Sequence, residues 1–538
     1  EEIANIITVR AGVTNKKKFI ILHSRSNLLL DTRKLTEYRY IQDYDESVAA
    51  DSIGRLLGPI LPPVGEIKDP AKKAELVKNI VIKGLLPQLK NIISHFNNEE
   101  LIQWLIGLNE ALMQRKEDLR LKTPTRIACF VSQEQHQHDL QEEFSKISRT
   151  TIAVRCLLEH VAAEPGKGKK KLSQTAVDEM VAIMDEIILW GSIGDQLNYN
   201  LFDINIGILS TGRIGTQKNL SQEIFDPYYQ SKTKETVIDA LHSFEQEFKA
   251  DFSDVENGIP QSLDNSFLKE FNISFTRICI FIDALTVLSF EQPTPYNAWK
   301  KKSLYDALNM VEKFLPDEFN NALAFLSLTN RGNILKVPKG FENYDISPWR
   351  FNRRLSLLRK PLIICDTDDL ENPIIYWGFR QILLSRMTIA EQCINNRLKV
   401  SENSPVAKVM GKLAQQRGSR LVTEVLQQLK LEDTILDTEV MISPNGKLKH
   451  ISDIGDIDVL LIHLPNKVIY SLECKSFAPS RNIKEMVEEC EKLQGSKSEK
   501  GLIAKHQNRH QWIITHLDQM GKVYEADLAK FSVVSAFV

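Results

Sequence analysis

Gly455-Asp-Ile-Asp-Val-Leu-Leu-Ile462 and, beyond the turn Pro465-Asn466, Val468-Ile-Tyr-Ser-Leu-Glu-Cys-Lys475 are the two stretches on which the reading of this chain turns. Both are apolar runs of strand length broken by charges at a spacing of two, which predicts two strands of a hairpin. Strand alternation puts Asp456, Asp458 and Leu460 on one face and Ile457, Val459 and Leu461 on the other. Glu473 and Lys475 share a face because they are two apart. The hairpin therefore carries one carboxylate, Asp458, to a second carboxylate and an ammonium. Charges inside strands otherwise built from Val, Ile and Leu need partners or a metal. The plainer alternative is an ordinary hairpin whose charges face solvent.

Such a group suits hydrolysis of a phosphodiester. Two carboxylates offer hard oxygen ligands to Mg²⁺, and a substrate phosphate completes the shell. The ion polarises the phosphoryl oxygen and activates a water, while the ammonium orients that water and stabilises developing charge. The triplet Glu-x-Lys alone carries little weight, since Glu66-Ile-Lys68 and Glu247-Phe-Lys249 also occur outside any hairpin pattern. The context adds to it. A helix is predicted from Ser404, with Met410, Ala414, Leu421, Val425 and Leu429 on one face and Glu424 at its border. A strand Thr438 to Ile442 and the turn Pro444-Asn-Gly446 follow, before the hairpin.

The order helix, strand with Asp, strand with Glu-x-Lys resembles the PD-(D/E)xK superfamily of nucleases, most closely its NERD-like and Holliday-resolvase-like branches. The resemblance covers residues 404 to 538. It implies a restriction-endonuclease-like α/β domain, a sheet flanked by helices, acting as a Mg²⁺-dependent (or Mn²⁺-dependent) endonuclease with DNA as the favoured substrate. It implies that Asp458, Glu473, Lys475 and Glu424 are catalytic. It also implies that Asp458, Glu473 and the Cys474 carbonyl bind the metal, with Asp456 as a further candidate, and that Lys475 assists the attacking water. The proline of the motif's name is absent before Asp458. Gln507 and Gln511 stand where some branches carry QxxxY, but neither has Tyr four residues later. A ribonuclease using the same site, and a scaffold or nucleic-acid-binding protein whose nuclease fold no longer cuts, are the alternatives.

Working outward, 538 residues exceed one core and predict several domains. The fold class expected is multi-domain α+β, with mainly helical N-terminal and middle regions ahead of the C-terminal α/β domain. Residues 1–165 combine strand-like runs, Phe19 to Leu22 and Leu28 to Leu30, with amphipathic stretches Ala74 to Phe96 and Glu99 to Leu112. Glu164-Pro-Gly-Lys-Gly-Lys-Lys-Lys171 reads as a solvated linker, since it lacks GxxxxGK[ST]. Residues 172–330 are helical, with helices expected at Thr236 to Phe248, Ser266 to Phe290, Ser303 to Leu315 and Glu318 to Leu328. Gly191-Ser-Ile-Gly194 and Thr211-Gly-Arg-Ile-Gly215 read as turns. Residues 331–400 form a connector whose runs Pro361 to Cys365 and Pro373 to Gly378 make a hairpin around the acidic turn Asp366 to Asp369.

Composition sets limits on function. The chain is 43% apolar and 26% charged with a formal charge of -2, so a site for a polyanion must be a local patch. Trp349-Arg-Phe-Asn-Arg-Arg354, running on to Arg359-Lys360, is one candidate nucleic-acid surface, through Arg350, Arg353 and Arg354; the alternative there is an internal arginine network. The helix Lys500 to Leu517, through Lys505 and Arg509, is a second. Seven cysteines without a CxxC fit a reducing compartment rather than a disulfide framework. No apolar run approaches the ~18 residues of a membrane span and the first residues are no signal peptide, so a cytoplasmic protein without a membrane partner is expected. His136-Gln-His138 reads as surface histidines. The N-terminal region is assigned regulation, substrate recognition or assembly with a protein partner or a second copy, as in repair or antiviral defence nucleases.

Overall fold

The computed structural model describes residues 38–129, 133–199, 204–216, 260–290, 294–350, 353–365, 371–394, 396–401, 403–429, 432–475, 483–495 and 499–538. The runs Phe19 to Leu22 and Leu28 to Leu30, the helix expected at Thr236 to Phe248 and the turn Asp366 to Asp369 lie outside the described residues. The chain is mixed α/β, with helices dominating its N-terminal and middle regions. It divides into two compact units: Glu1–Gln392 with Leu398–Val406, and Cys393–Arg397 with Ala407–Val538.

The first unit opens with α1 (Asp43–Leu57), β1 (Gly65–Ile67) and α2 (Pro70–Asn79). Asp69 starts α2 by accepting from the Ala71 N–H at 2.9 Å, with Pro70 in the first turn where no N–H is needed. A π-helical stretch leads into α3 (Leu86–Ser94), followed by α4 (Asn98–Cys129), α5 (Gln133–Ala163) and α6 (Gln174–Asn198). Strands β2 (Ile206–Ile208) and β3 (Ile214–Thr216) join β1 in a small antiparallel sheet. Helices α7 (Gln261–Phe271) and α8 (Phe275–Phe290) replace the single helix expected at Ser266 to Phe290. The break falls at Asn272, whose φ of 56° ends α7 in the left-handed region. Then come β4 (Tyr296–Lys300), α9 (Lys301–Val311), α10 (Pro316–Leu326), β5 (Ser327–Leu328), β6 (Leu362–Cys365), β7 (Ile374–Gly378) and α11 (Phe379–Ile394). The expected hairpin is present as β6 and β7, inside a four-stranded sheet of order β4-β7-β6-β5.

One apolar core runs from Ala49 to Tyr376, so regions set apart in sequence at 165–172 and at 330 share it. The Gly/Lys run is correspondingly not a solvated linker. Phe96 pairs with Lys170 and Asn97 with Lys167, and a Cβ at Gly168 would fall 1.9 Å from the His95 carbonyl oxygen. Glycine is there because two backbones touch. Gly191 to Gly194, expected as a turn, lies within α6.

The basic stretch near 350 also departs from an exposed stripe. Arg350 grips Asp195 through two bonds of 2.8 and 2.7 Å, and Arg354 pairs with Asp345 at 2.7 Å. Arg353 is buried against an equally buried Glu159 at 2.5 Å, and Glu159 also accepts from the Leu357 N–H at 2.8 Å. These guanidiniums hold the first unit together from inside.

The second unit contains α12 (Pro405–Gln428, begun in the first unit), β8 (Thr434–Ser443), β9 (Leu448–Lys449), β10 (Gly455–His463), β11 (Val468–Glu473), α13 (Ile483–Gln494), α14 (Leu502–Thr515), α15 (Leu517–Tyr524) and β12 (Ser532–Phe537). The sheet order is β12-β11-β10-β8-β9; β10 is antiparallel to β8 and β11, while β11 and β12 run parallel. Leu421, Val422 and Val425 of α12, with Leu429 just past its end, cover one face over Val459 and Leu472. Trp512 and Ile513 of α14 and Met520 of α15 cover the other, over Val440, Ile442, Ile457, Leu460 and Ile462.

Those two clusters correct the simple alternation expected of β10. Ile457 shares a core with Leu460 and Ile462, whereas Val459 lies in the opposite one. The ladder explains it: Ile457 pairs with Val440 and Val459 with Thr438, while Asp458 and Glu439 between them leave the register. Glu439 has φ of 50°, a left-handed kink inside a strand, and the facing directions change across it.

Among the described residues no single helix is long and apolar enough to cross a membrane. The bent pair α7 and α8 passes by length and composition only.

Removing Arg353 strands the Glu159 carboxylate in the core, a loss of about 3–5 kcal/mol for a broken buried pair. In urea unfolding, Arg353→Ala is expected to shift the first unit's transition by that amount. An exposed contact residue would change it by only about 0.5 kcal/mol, and that outcome would refute the internal role.

Candidate active site

Three short distances build the site where β10 and β11 end. Val459 pairs with Leu472, so Asp458 stands beside the residues that follow β11. Its Oδ2 accepts from the Cys474 N–H at 2.7 Å and from Lys475 Nζ at 3.0 Å. The same Nζ lies 2.9 Å from Glu473 Oε1, so the two carboxylate oxygens are no farther apart than the sum of those two reaches. Lys475 sits just past β11, but the Lys475 N–H donates to the Val538 carbonyl at 3.0 Å and the Val538 N–H to the Glu473 carbonyl at 2.9 Å. Strand β12 thus fixes the backbone that presents the triplet.

A fourth charged group stands behind Glu473. Arg509 Nη2 of α14 bonds Glu473 Oε2, and both side chains are buried. Gly455, at φ of 95°, makes space for it: a Cβ there would lie 3.0 Å from Arg509 Nη1. Two carboxylates and two cations leave the cluster neutral. Burial disfavours the charged form of Lys475, and the hydrogen bonds to Glu473 and Asp458 outweigh it, so its pKa is raised. Burial, with the nearby Asp458 charge, pushes the Cys474 thiol up, which keeps it an uncharged core residue of the α12 face.

His506, one helical turn before Arg509, is also buried. Its Nδ1 is 3.9 Å from Glu473 Oε2, its ring lies 4.9 Å from that of Phe537, and neither ring nitrogen has a hydrogen-bond partner among the described residues. Burial, then the charges of Arg509 and His510, lower its pKa.

The structure brings Asp458, Glu473, Cys474 and Lys475 together, as the sequence predicted. It moves Arg509 from an expected nucleic-acid surface into the cluster, and His506 with it. Lys505, by contrast, is exposed on α14, as are Gln507 and Gln511. Glu424 is exposed on α12, whose apolar residues pack against the face carrying Val459 and Leu472. Asp456 is half-buried and stands opposite Met441 in the β10–β8 ladder. The signal that could have found Arg509 was its spacing: His506, Arg509 and Ile513 fall at i, i+3 and i+7, on one helical stripe.

Among the described residues no three His, Cys, Asp or Glu side chains gather as a metal cage. Mg²⁺ does not require one, being commonly held by one or two carboxylates and completed by water and substrate phosphate. The bridging Lys475 ammonium shows that the gap between Asp458 and Glu473 already suits a cation. The donors are hard oxygens, and they fit such an ion.

The depressed His506 pKa has a defined effect on stability. In the unfolded chain this imidazole takes up a proton below about its ordinary 6.5, and in the folded unit only at lower pH. Between those values the unfolded state binds more protons, so stability is complete above 6.5 and is lost as pH falls. Urea midpoints of the second unit are expected to fall from pH 7 to pH 5.5 and to fall less in His506→Phe. Equal slopes for the two proteins would remove His506 as a source.

A family model described as "Anti-phage protein Upx-like" matches residues 37–538. No curated protein and no solved structure matches the chain. With nearly its whole length covered by that match, the chain belongs to the Upx-like family of anti-phage proteins.

Proposed function

We propose that the second unit is a metal-dependent nuclease of the PD-(D/E)xK class that hydrolyses nucleic-acid phosphodiesters, with DNA favoured, as the cutting part of an anti-phage defence protein. The observation that carries this reading is the convergence of Asp458 and Glu473 on one ammonium, Lys475, at the end of adjacent strands. Membership of an anti-phage family supports the defence role. Placement of the cluster in a sheet covered on both faces by helices supports the choice of class.

Asp458 and Glu473 would hold Mg²⁺ or Mn²⁺, with the Cys474 carbonyl and Asp456 as further oxygens. Such an ion, when bound, polarises a phosphoryl oxygen and makes bound water more acidic. Lys475 has its pKa raised by both carboxylates, so it stays protonated at neutral pH. That suits it to donate to the attacking water and to a phosphate oxygen. Arg509 neutralises Glu473 from behind and holds its Oε2 in place. It acts through Glu473, as a positioning residue. Glu424 is the remaining catalytic candidate, through the family resemblance.

The experiment is cleavage of duplex DNA, single-stranded DNA and RNA by the full chain with Mg²⁺ or Mn²⁺. Lys475→Ala and Asp458→Asn are each expected to slow cutting by about 10²-fold or more, the scale of losing one preorganised electrostatic contact. Cutting unchanged by both substitutions would sink the site. Cutting of RNA alone would make it a ribonuclease, and binding with no metal-dependent cutting would leave a nuclease-fold scaffold.

A further inference from the structure

The run Lys167-Gly-Lys-Lys-Lys171 of the first unit carries four lysines in five residues, on a backbone fastened along its length. Gly166 and Gly168 lie against the carbonyls of Ile93 and His95, where a Cβ would fall 2.4 and 1.9 Å from the oxygens. The Lys170 N–H donates to the His95 carbonyl at 3.0 Å, Asn97 bridges to Lys167, and Leu172 is buried in the core just beyond the run. The four lysines themselves are exposed.

Their charge is not used by the fold. Among the described residues none of the four makes an ion pair or a side-chain hydrogen bond, and Lys170 has one ring contact, over Phe96 at 5.7 Å. The carboxylates that touch the ends of the run are engaged otherwise. Glu164 pairs with Lys90 and accepts from the Ile334 N–H at 3.4 Å, and Glu100 accepts from the Leu172 N–H at 3.4 Å. Four like charges held this close repel one another, so the stability of the unit does not explain them.

We propose that this lysine run is an anchoring site for the phosphate backbone of nucleic acid. Lysines that meet phosphates release counterions from the strand, and these four have no carboxylate to give up first. A backbone already pinned to α3 and to the core loses less freedom on contact than a flexible tail would. The run offers only ammonium groups and glycines, so it holds a strand without reading its bases. Among the described residues no large apolar side chain is exposed between Ile152 and Leu189, so the patch lacks the apolar face that a membrane-surface element sets beside its cations. The site belongs to the first unit and stands whether or not the Asp458 cluster cuts.

Fluorescence anisotropy of the full chain with a labelled DNA duplex, across salt concentrations and with metal chelated so that nothing is cut, tests this. Replacing Lys167, Lys169, Lys170 and Lys171 together by glutamine is expected to weaken binding about 10-fold or more at about 0.1 M salt. It is also expected to lower the slope of log affinity against log salt by about 3, at roughly 0.9 per phosphate contact. Replacing Lys72, Lys78, Lys83 and Lys313 together by glutamine removes the same charge elsewhere and is expected to change affinity by no more than about 2-fold. All eight positions are exposed, so neither variant disturbs the core. A duplex of unrelated sequence is expected to bind equally well. The proposal is overturned by no duplex binding, by an unchanged salt slope in the first variant or by equal weakening in the second. Anionic-lipid vesicles or poly-glutamate binding more tightly than the duplex at equal charge would also overturn it.

Discussion

The bond from Lys475 to both Asp458 and Glu473 depends on a backbone arrangement more than on the side chains themselves. Asp458 reaches the residues after β11 because β10 and β11 pair through Val459 and Leu472. It reaches both the Cys474 N–H and Lys475 because its own strand leaves the ladder opposite Glu439. A left-handed residue within a strand costs roughly 1–3 kcal/mol and persists where the surroundings over-determine it. Here the surroundings are two apolar clusters, one on each face, whose residues on β8 and β10 change sides across the kink.

The charges in that arrangement compensate one another. Glu473 is buried between a cation in front, Lys475, and a cation behind, Arg509. Two carboxylates without these partners would repel and would take up protons. With them, each carboxylate has a cation within hydrogen-bond reach in a largely apolar setting. The same compensation makes Arg509 part of the sheet's interior chemistry, so its substitution acts on Glu473 before it acts on any ligand.

What the sequence made legible was what local periodicity controls. The two strands, the turn between them and the shared face of Glu473 and Lys475 follow from a spacing of two in β11. The hairpin β6 and β7 followed from short apolar runs beside Pro361 and Pro373. The break in β10 was not legible, because it depends on Glu439 in another strand adopting a rare backbone angle. Arg509 was misplaced, and the internal arginine network that holds Arg353 was only one of the two readings left open, for a related reason. A basic residue is read as exposed unless its acid is seen, and Glu159 lies 194 positions from Arg353 while Glu473 lies 36 from Arg509. The Gly/Lys run 164–171 looked like a linker because composition does not reveal that two glycines touch a neighbouring backbone.

Taking those arginines inside changes how a nucleic acid would be held. Affinity for a phosphate backbone comes mainly from cations that release counterions on contact, and a guanidinium already bonded to a carboxylate contributes little to that. Arg350, Arg353, Arg354 and Arg509 are all so bonded, and the chain carries a net charge of -2. Of the residues first considered for contact, Lys505 is exposed on α14, on the helix that also carries Arg509 to Glu473. On the proposed nuclease reading, these four guanidiniums therefore add little long-range attraction for a substrate. On that reading, a low general affinity for nucleic acid would restrain the second unit from cutting its host's own. In that design, restraint follows from the same ion pairs that hold the fold together.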